Sequence, residues 1–343
     1  MLFSINNVVS HIQGAKGEKV LLMDFDKHSL APWGLKKTRL FIGNGTGVKL
    51  VTLLLCTVAF ASSHPNPKRM NLKDTENHID SIIAATEGTF GVAFKDMQNG
   101  KSLYRNARER FHAASTMKTP VMIEVFHQAR KKKFSLDDSL QIVNKFSSLI
   151  DGSPYSLDSA SDSDDSLYTH LGEKKSIRTL VFAMITVSSN LSTNLLIQKI
   201  GARNVQRTMR RLGLKDIEIL RGVEDSKAFE AGKNNTTTAK DLSIVYEQLA
   251  RKKVVSRTAC NEMLDILLHQ KFNEMIPGLL PKNVKVAHKT GSITGVQHDS
   301  GIVYLPDGRK YVLVVLSKDL KDAKKGIAAI AQISKTLYDY EIQ

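Results

Sequence analysis

The stretch HDSGIVYLPDGRKYVLVVLS, His298 to Ser317, leaves the chain few ways to fold. Two runs rich in β-branched and aromatic residues flank Pro306-Asp307-Gly308, where proline pre-sets one φ and glycine accepts a left-handed one. That pattern predicts a β-hairpin. NVKVAHKTG, ending at Gly291, predicts a strand just before it, and LKDAKKGIAAIAQISKTLYDYE just after it has helical spacing. Near the other end, TFGVAFKDMQNGKSLYR alternates and breaks at Asn99-Gly100, the strongest short-range hairpin signal. HIDSIIAA, before that hairpin, has helical spacing of Ile79, Ile82 and Ile83. One early hairpin and three late strands predict an antiparallel sheet of five strands flanked by terminal helices. Between them SIRTLVFAMITV, LSTNLLIQKIG (closed at Gly201), ARNVQRTMRRLGL and TTTAKDLSIVYEQLARKK all have helical patterning. The expected class is α+β, a sheet with flanking helices plus an all-helical lobe.

Length and charge bound the rest. The chain has 343 residues and a formal net charge of +15, which raises the question of a nucleic-acid partner. The charge is dispersed, however. Its longest basic run, Arg130 to Lys133, ends a predicted helix, where cations favour the macrodipole. No zinc-finger spacing, aromatic RNA-binding signature or basic arm accompanies it, so no nucleic-acid partner is expected. The two cysteines, Cys56 and Cys260, make no disulfide framework, and Cys260 is expected as a small core residue.

VKLVTLLLCTVAFASS has the features of a secretory signal: an apolar run from Leu50 to Ala61 that closes in Ala59-Phe60-Ala61. The run is too short for a stable membrane span. Residues 1–47 are too long for an n-region. They are expected to be an upstream segment from a misplaced start, with translation beginning at Val48 and the leader covering 48–61. Removing residues 1–61 leaves 42 Lys/Arg against 31 Asp/Glu, a formal +11. A polar, proline-bearing linker over 62–76 would precede one domain over 77–343, in the periplasm or secreted. DGSPYSLDSASDSDDS, Asp151 to Ser166, lacks apolar periodicity and the glycine and glutamate of a calcium loop, and is expected to be a solvated loop.

HAASTMKTP, His112 to Pro120, sets a serine and a lysine at i and i+3 where a helix starts, with Pro120 in the first turns. A neutral amine one turn from Ser115 can take its hydroxyl proton. Two more short motifs follow in order: Ser188-Ser189-Asn190, just after an apolar helix, and Lys289-Thr290-Gly291 at a strand end. Ser-x-Asn also occurs at Ser4 and Ser192, the latter inside the next helical pattern.

In this order and with their flanking sequence (FHAASTMK, AMITVSSNLSTNLLIQKIG, NNTTTAKDL, VAHKTGSITG), the motifs resemble the penicillin-recognising serine hydrolases, most closely the class A β-lactamases. The resemblance runs from His78 to the C-terminus. Ser188 to Lys289 spans 101 residues, similar to the family, whereas Ser115 to Ser188 spans 73, with the Ser/Asp loop as the place for an insertion. The resemblance implies a β-lactamase/transpeptidase-like fold. It makes Ser115 the acylated nucleophile, Lys118 its base or relay, and Ser188 the proton donor to the leaving nitrogen. Asn190 would hold the substrate amide and Lys118. Lys289 and Thr290 would bind the substrate carboxylate, Gly291 would admit a close backbone, and the N–H groups of Ser115 and Ser292 would form an oxyanion hole. His298 stands where many members place an arginine for the substrate carboxylate. No metal or cofactor is implied, and nothing demands more than a monomer.

Two departures stand out. Ser189 occupies a position where the family usually has aspartate. In RGVEDSKAFEAGKNNTTT, Gly222 and Val223 replace the residues expected after Arg221, and Asn235 replaces the aspartate that would pair with it. Glu224 is displaced by one residue from the deacylating glutamate and is the candidate base; Glu230 stands too near Thr236. The expected activity is opening of β-lactam amides through an acyl-enzyme at Ser115. A D-alanyl-D-alanine carboxypeptidase, or a protein that acylates without turnover, shares the same motifs.

Overall fold

The computed structural model describes residues 70–343 and, upstream, the backbone of Val9–Gln13 and Lys19–Met23. The chain divides into two units, 1–66 and 67–343. In the first, the two strands pair antiparallel, Val9 opposite Met23 and Gln13 opposite Lys19. The expected leader, 48–61 with Cys56, lies outside the described residues, as does most of the expected linker. The end of that linker is corrected: helix α1, Leu72–Ala84, already includes residues 72–76. Asn71 starts it, its side chain accepting from the N–H of Asp74 at 2.9 Å.

The second unit is built on a five-stranded antiparallel sheet. Its strands are β1 (Thr89–Asp96), β2 (Ser102–Arg105), β3 (Lys285–Ile293), β4 (Val296–Tyr304) and β5 (Lys310–Lys318). The spatial order is β3-β4-β5-β1-β2, so the last strand in sequence pairs with the first and closes the domain across most of the chain. Both predicted hairpins form, with Gly100 (φ 78°) and Gly308 (φ 87°) in the left-handed region.

β5 is apolar at consecutive positions because both of its faces are covered. Tyr311, Leu313 and Val315 pack on one side against α1 and the C-terminal helix, with Ile79, Ile330 and Ile333. Val312, Val314 and Leu316 face the helical lobe on the other side. The helices of this second face are α2 (Lys118–Arg130), α3 (Ile177–Thr186), α4 (Asn190–Ile200), α5 (Ala202–Arg211), α6 (Ser226–Glu230), α7 (Ala239–Ala250) and α8 (Arg257–Leu268). The terminal helix α9 is Ala323–Glu341, started by Asp322, whose side chain accepts from the N–H groups of Lys324 and Lys325. Cys260 is a buried free thiol in the helical core.

α2 is the central helix: ten of its residues are buried, from Lys118 to Phe126 and Gln128. Its N-terminus therefore opens between the sheet and the lobe. α7 lies on the sheet beside it and starts at Thr238, whose Oγ1 accepts from the N–H of Asp241 at 3.0 Å. That bond is fully buried, so Thr238→Ala is expected to destabilise the fold by about 1–2 kcal/mol, read by urea unfolding at constant m-value.

Candidate active site

Three elements meet at the N-terminus of α2. A 3₁₀ turn, Ala114–Met117, carries Ser115 into the helix, and Ala114 before it is held at φ 44°, a region unusual for a residue with a side chain. Lys118 opens α2 and is fully buried. Its ammonium donates to the carbonyl of Ser188 (2.7 Å), to Ser188 Oγ (3.2 Å) and to Asn190 Oδ1 (2.8 Å). Burial pushes its pKa down to about 7 against the opposing pull of the Asp162 and Glu224 carboxylates.

Ser188 sits in the bend between α3 and α4 at φ 58°. That left-handed turn lets its carbonyl and its hydroxyl face the same lysine. Lys289 reaches in from β3, equally buried, and donates to Ser188 Oγ at 3.0 Å and to the Thr290 carbonyl at 3.0 Å. Its pKa is driven well down by burial and by repulsion from Lys118, with Asp299 opposing. Ser188 Oγ thus bridges two amines. When both are protonated its lone pairs are occupied, and its own hydrogen is left to donate elsewhere.

β3 runs close against the serine turn. A Cβ on Gly291 would stand 3.1 Å from Ser115 N and 3.1 Å from Ala114 Cβ, tighter than most side chains tolerate. Glycine is what permits this approach. Ser292, next on the strand, has its Oγ fixed by Gln297 Nε2 at 2.9 Å.

Asn190 joins both sides of the site. Its Oδ1 accepts from Lys118, and its Nδ2 donates to Glu224 Oε1 at 2.7 Å. Glu224 is wound into place at φ 59°, and burial raises its pKa even though Asn190 and the backbone N–H of Asp158 stabilise the carboxylate. Glu230 is exposed at the end of α6, away from this cluster.

The loop bearing Glu224 closes without an ion pair between Arg221 and residue 235. Asn235 Oδ1 accepts from the N–H groups of Leu220 (2.8 Å) and Arg221 (3.2 Å), and its Nδ2 donates to the Arg221 carbonyl (2.9 Å). Arg221 instead donates to the Lys233 carbonyl and to Asn234 Oδ1, both at 2.9 Å. Asn194, from the Ser-x-Asn inside α4, also serves the loop: its side chain accepts from Val223 N (2.7 Å) and donates to Val223 O (3.0 Å).

Two expectations are corrected. His298, expected against a substrate carboxylate, is fully buried opposite Gly291. Its Nδ1 lies 2.9 Å from the Gln297 carbonyl and 3.1 Å from Ser317 N, and its Nε2 lies 2.8 Å from the His112 carbonyl. Burial lowers its pKa to about 4, so it is a neutral tie between β4 and the segment leading to Ser115. The Ser/Asp stretch is not merely solvated. Asp162, half-buried, accepts from the backbone N–H of Asn190 with both oxygens (2.9 Å each) and from that of Leu191 (3.0 Å). The sequence reading misses it, because no spacing in a Ser/Asp-rich run singles it out. Among the described residues, no group of three His, Cys, Asp or Glu side chains is arranged to hold a metal. No described helix is long and apolar enough to cross a membrane.

The beta-lactamase enzyme family matches residues 74–341. The extended-spectrum beta-lactamase PER-1 of Pseudomonas aeruginosa is 26% identical over 305 residues, covering 85% of this chain and 94% of that protein. A beta-lactamase of Bacteroides uniformis is 26% identical over 315 residues, covering 85% of this chain and 97% of that one. Among solved structures, the beta-lactamase from Sphaerobacter thermophilus DSM 20745 has a TM-score of 0.67 and 27% identity, covering 78% of this chain and 97% of that one. The sheet and helices described above form the beta-lactamase fold.

A Cβ on Gly222 would stand 2.3 Å from Asn194 Oδ1. Gly222→Ala is therefore expected to displace Asn194 and release Val223, at a cost of about 1–3 kcal/mol for the buried polar groups left unpaired. Thermal unfolding should fall, and limited proteolysis should cut within 221–235 sooner than in the parent protein.

Proposed function

Because the chain belongs to the beta-lactamase enzyme family, we propose that it hydrolyses β-lactam amides through an acyl-enzyme on Ser115. The observation that carries this reading is the buried Lys118 one turn from Ser115, its pKa pushed down to about 7 and its amine joined through Asn190 to Glu224. A nucleophile needs a base at neutral pH, and an ester intermediate needs a second base to leave. Both are present in one hydrogen-bonded group.

In this mechanism neutral Lys118 takes the Ser115 hydroxyl proton as Oγ bonds to the lactam carbonyl carbon. The carbonyl oxygen turns toward the N–H groups of Ser115 and Ser292. As the C–N bond breaks, Ser188 Oγ gives its hydrogen to the nitrogen and recovers one from Lys118, 3.2 Å away. Lys289, with Thr290, attracts the substrate carboxylate; that anion also favours the protonated form that burial disfavours. Glu224 then takes a proton from the water as it attacks the acyl carbon; the bond from that carbon to Ser115 Oγ breaks, and Oγ recovers a proton as Glu224 gives one up, so that the serine hydroxyl and the carboxylate are both regenerated. The leader over 48–61 would deliver the enzyme to the periplasm or outside the cell, where such substrates are met.

Lys118 acts as base only when deprotonated, so acylation is expected to rise with pH through about 7 and to level off above it. Stopped-flow acylation by a chromogenic cephalosporin between pH 5 and 9 measures this limb. Glu224→Gln is expected to slow deacylation by about 10²–10⁴-fold while acylation persists, so that intact mass shows a trapped adduct on Ser115. Sustained colour release from the unaltered protein is expected. A single burst followed by a stable adduct would replace this reading with a cell-wall carboxypeptidase or a binding protein, and no adduct at all would remove the lactam reading.

A further inference from the structure

We propose that Asp162, in the Ser/Asp-rich insertion, is a positioning residue of the active site, supplying from a distant loop the carboxylate that Ser189 does not provide. The inference rests on the acyl-enzyme reading above and concerns how its machinery is held.

The N-terminus of α4 leaves its first N–H groups without helical partners. Each is accounted for. Asn190 and Leu191 donate to Asp162, Ser192 donates to Ser189 Oγ at 3.3 Å, and Thr193 donates to the Ser189 carbonyl at 3.3 Å. Ser189 thus reaches only one N–H with its short hydroxyl, and the two N–H groups nearest the cleft fall to Asp162. A carboxylate there is favoured twice, by charge-assisted hydrogen bonds and by the positive end of the helix. Asp162 is itself held by the Tyr168 hydroxyl, which donates to Oδ2 at 3.0 Å.

What it holds is the chemistry-bearing residue. Asn190 presents its Oδ1 to Lys118 and its Nδ2 to Glu224, so its backbone position sets the spacing of the two bases. The charged and titratable groups around Asp162 are Lys118, Glu224, Asp158, Asp164 (whose backbone N–H donates to Asp162 Oδ1 at 3.3 Å) and Tyr168, with Lys289 beyond Lys118. Asp162 and Glu224 favour the charged form of Lys118, and Lys118 and Lys289 repel each other. Removing the Asp162 carboxylate is thus expected to do two separable things. It lets Asn190 drift, which slows acylation, and it lowers the Lys118 pKa, which moves the acid limb of the rate to lower pH. A cap that only stabilised the fold would do neither.

The test compares the full-length protein with Asp162→Asn, Asp162→Ala and Asp162→Ala/Ser189→Asp. Acylation by a chromogenic cephalosporin is followed from pH 5 to 9, and backbone amide exchange is measured at Asn190 and Leu191. Acylation is expected to fall roughly tenfold in Asp162→Asn, which keeps the shape but weakens two charge-assisted bonds. It should fall about 100-fold in Asp162→Ala, the size of effect that follows a misplaced catalytic group. Both variants should shift the limb to lower pH and exchange faster at the two amides. The Ser189→Asp change returns a carboxylate to the same helix end and should recover most of the lost rate. Unchanged rate and limb in Asp162→Asn overturn the proposal, as does a slower rate with an unmoved limb and no recovery by Ser189→Asp. Should Asp162→Ala not fold, the isosteric Asp162→Asn carries the decision. If the unaltered protein forms no adduct, the enzymatic reading fails separately, and the exchange of the two amides still decides whether Asp162 holds them.

Discussion

Two ammonium groups buried within one hydroxyl of each other are the constraint around which this domain is arranged. Lys118 and Lys289 both lie out of contact with water, and both donate to Ser188 Oγ. Burying one such charge is costly, and burying two side by side is more so. The structure offsets the cost with acceptors drawn from three directions. The bend before α4 turns the Ser188 carbonyl and hydroxyl inward, β3 folds back its own Thr290 carbonyl, and Asn190 offers its amide oxygen. The remainder of the penalty appears as depressed pKa values, down to about 7 for Lys118 and well below the usual amine range for Lys289.

Of the seven non-glycine residues at positive φ among the described residues, three lie at this arrangement: Ala114, Ser188 and Glu224, each of which immediately precedes or carries a group of the site. Gly291 serves the same end by omission, since a methyl group there would press on the serine turn. The strained turns are held by well-packed neighbours: α2 is buried along most of its length, and the sheet behind it is covered on both faces.

The loop bearing Glu224 is held by neutral hydrogen-bonding groups. Asn235 satisfies backbone groups of Leu220 and Arg221, Arg221 turns to carbonyl and amide oxygens, and Asn194 pins Val223 from the side. The segment from Ser148 to Tyr155 contributes too. Ser148 Oγ donates to Asp225 Oδ1 (2.9 Å), and the Tyr155 hydroxyl donates to the Val223 carbonyl (3.2 Å). Through Tyr155 and Asp162 the Ser/Asp-rich stretch is therefore tied to the groups around Glu224 and Asn190.

The sequence by itself determined the elements and the chemical alphabet of the site. Alternation, Pro-Asp-Gly and Asn-Gly specify hairpins over a few residues; threonine and glycine mark helix ends; and the three short motifs carry the family resemblance. These signals are local, because periodicity and turn stereochemistry act within a few residues of the chain. Only the tertiary structure decided which groups touch. Lys118 and Lys289 meet at Ser188 across 70 and 101 residues, Asp162 reaches the end of α4 across 28, and His298 turns inward rather than toward a substrate. Burial and hydrogen-bond partnership are properties of the packed whole. Nothing in the immediate neighbourhood of His298 or Asp162 specifies whether water or another strand will stand beside it.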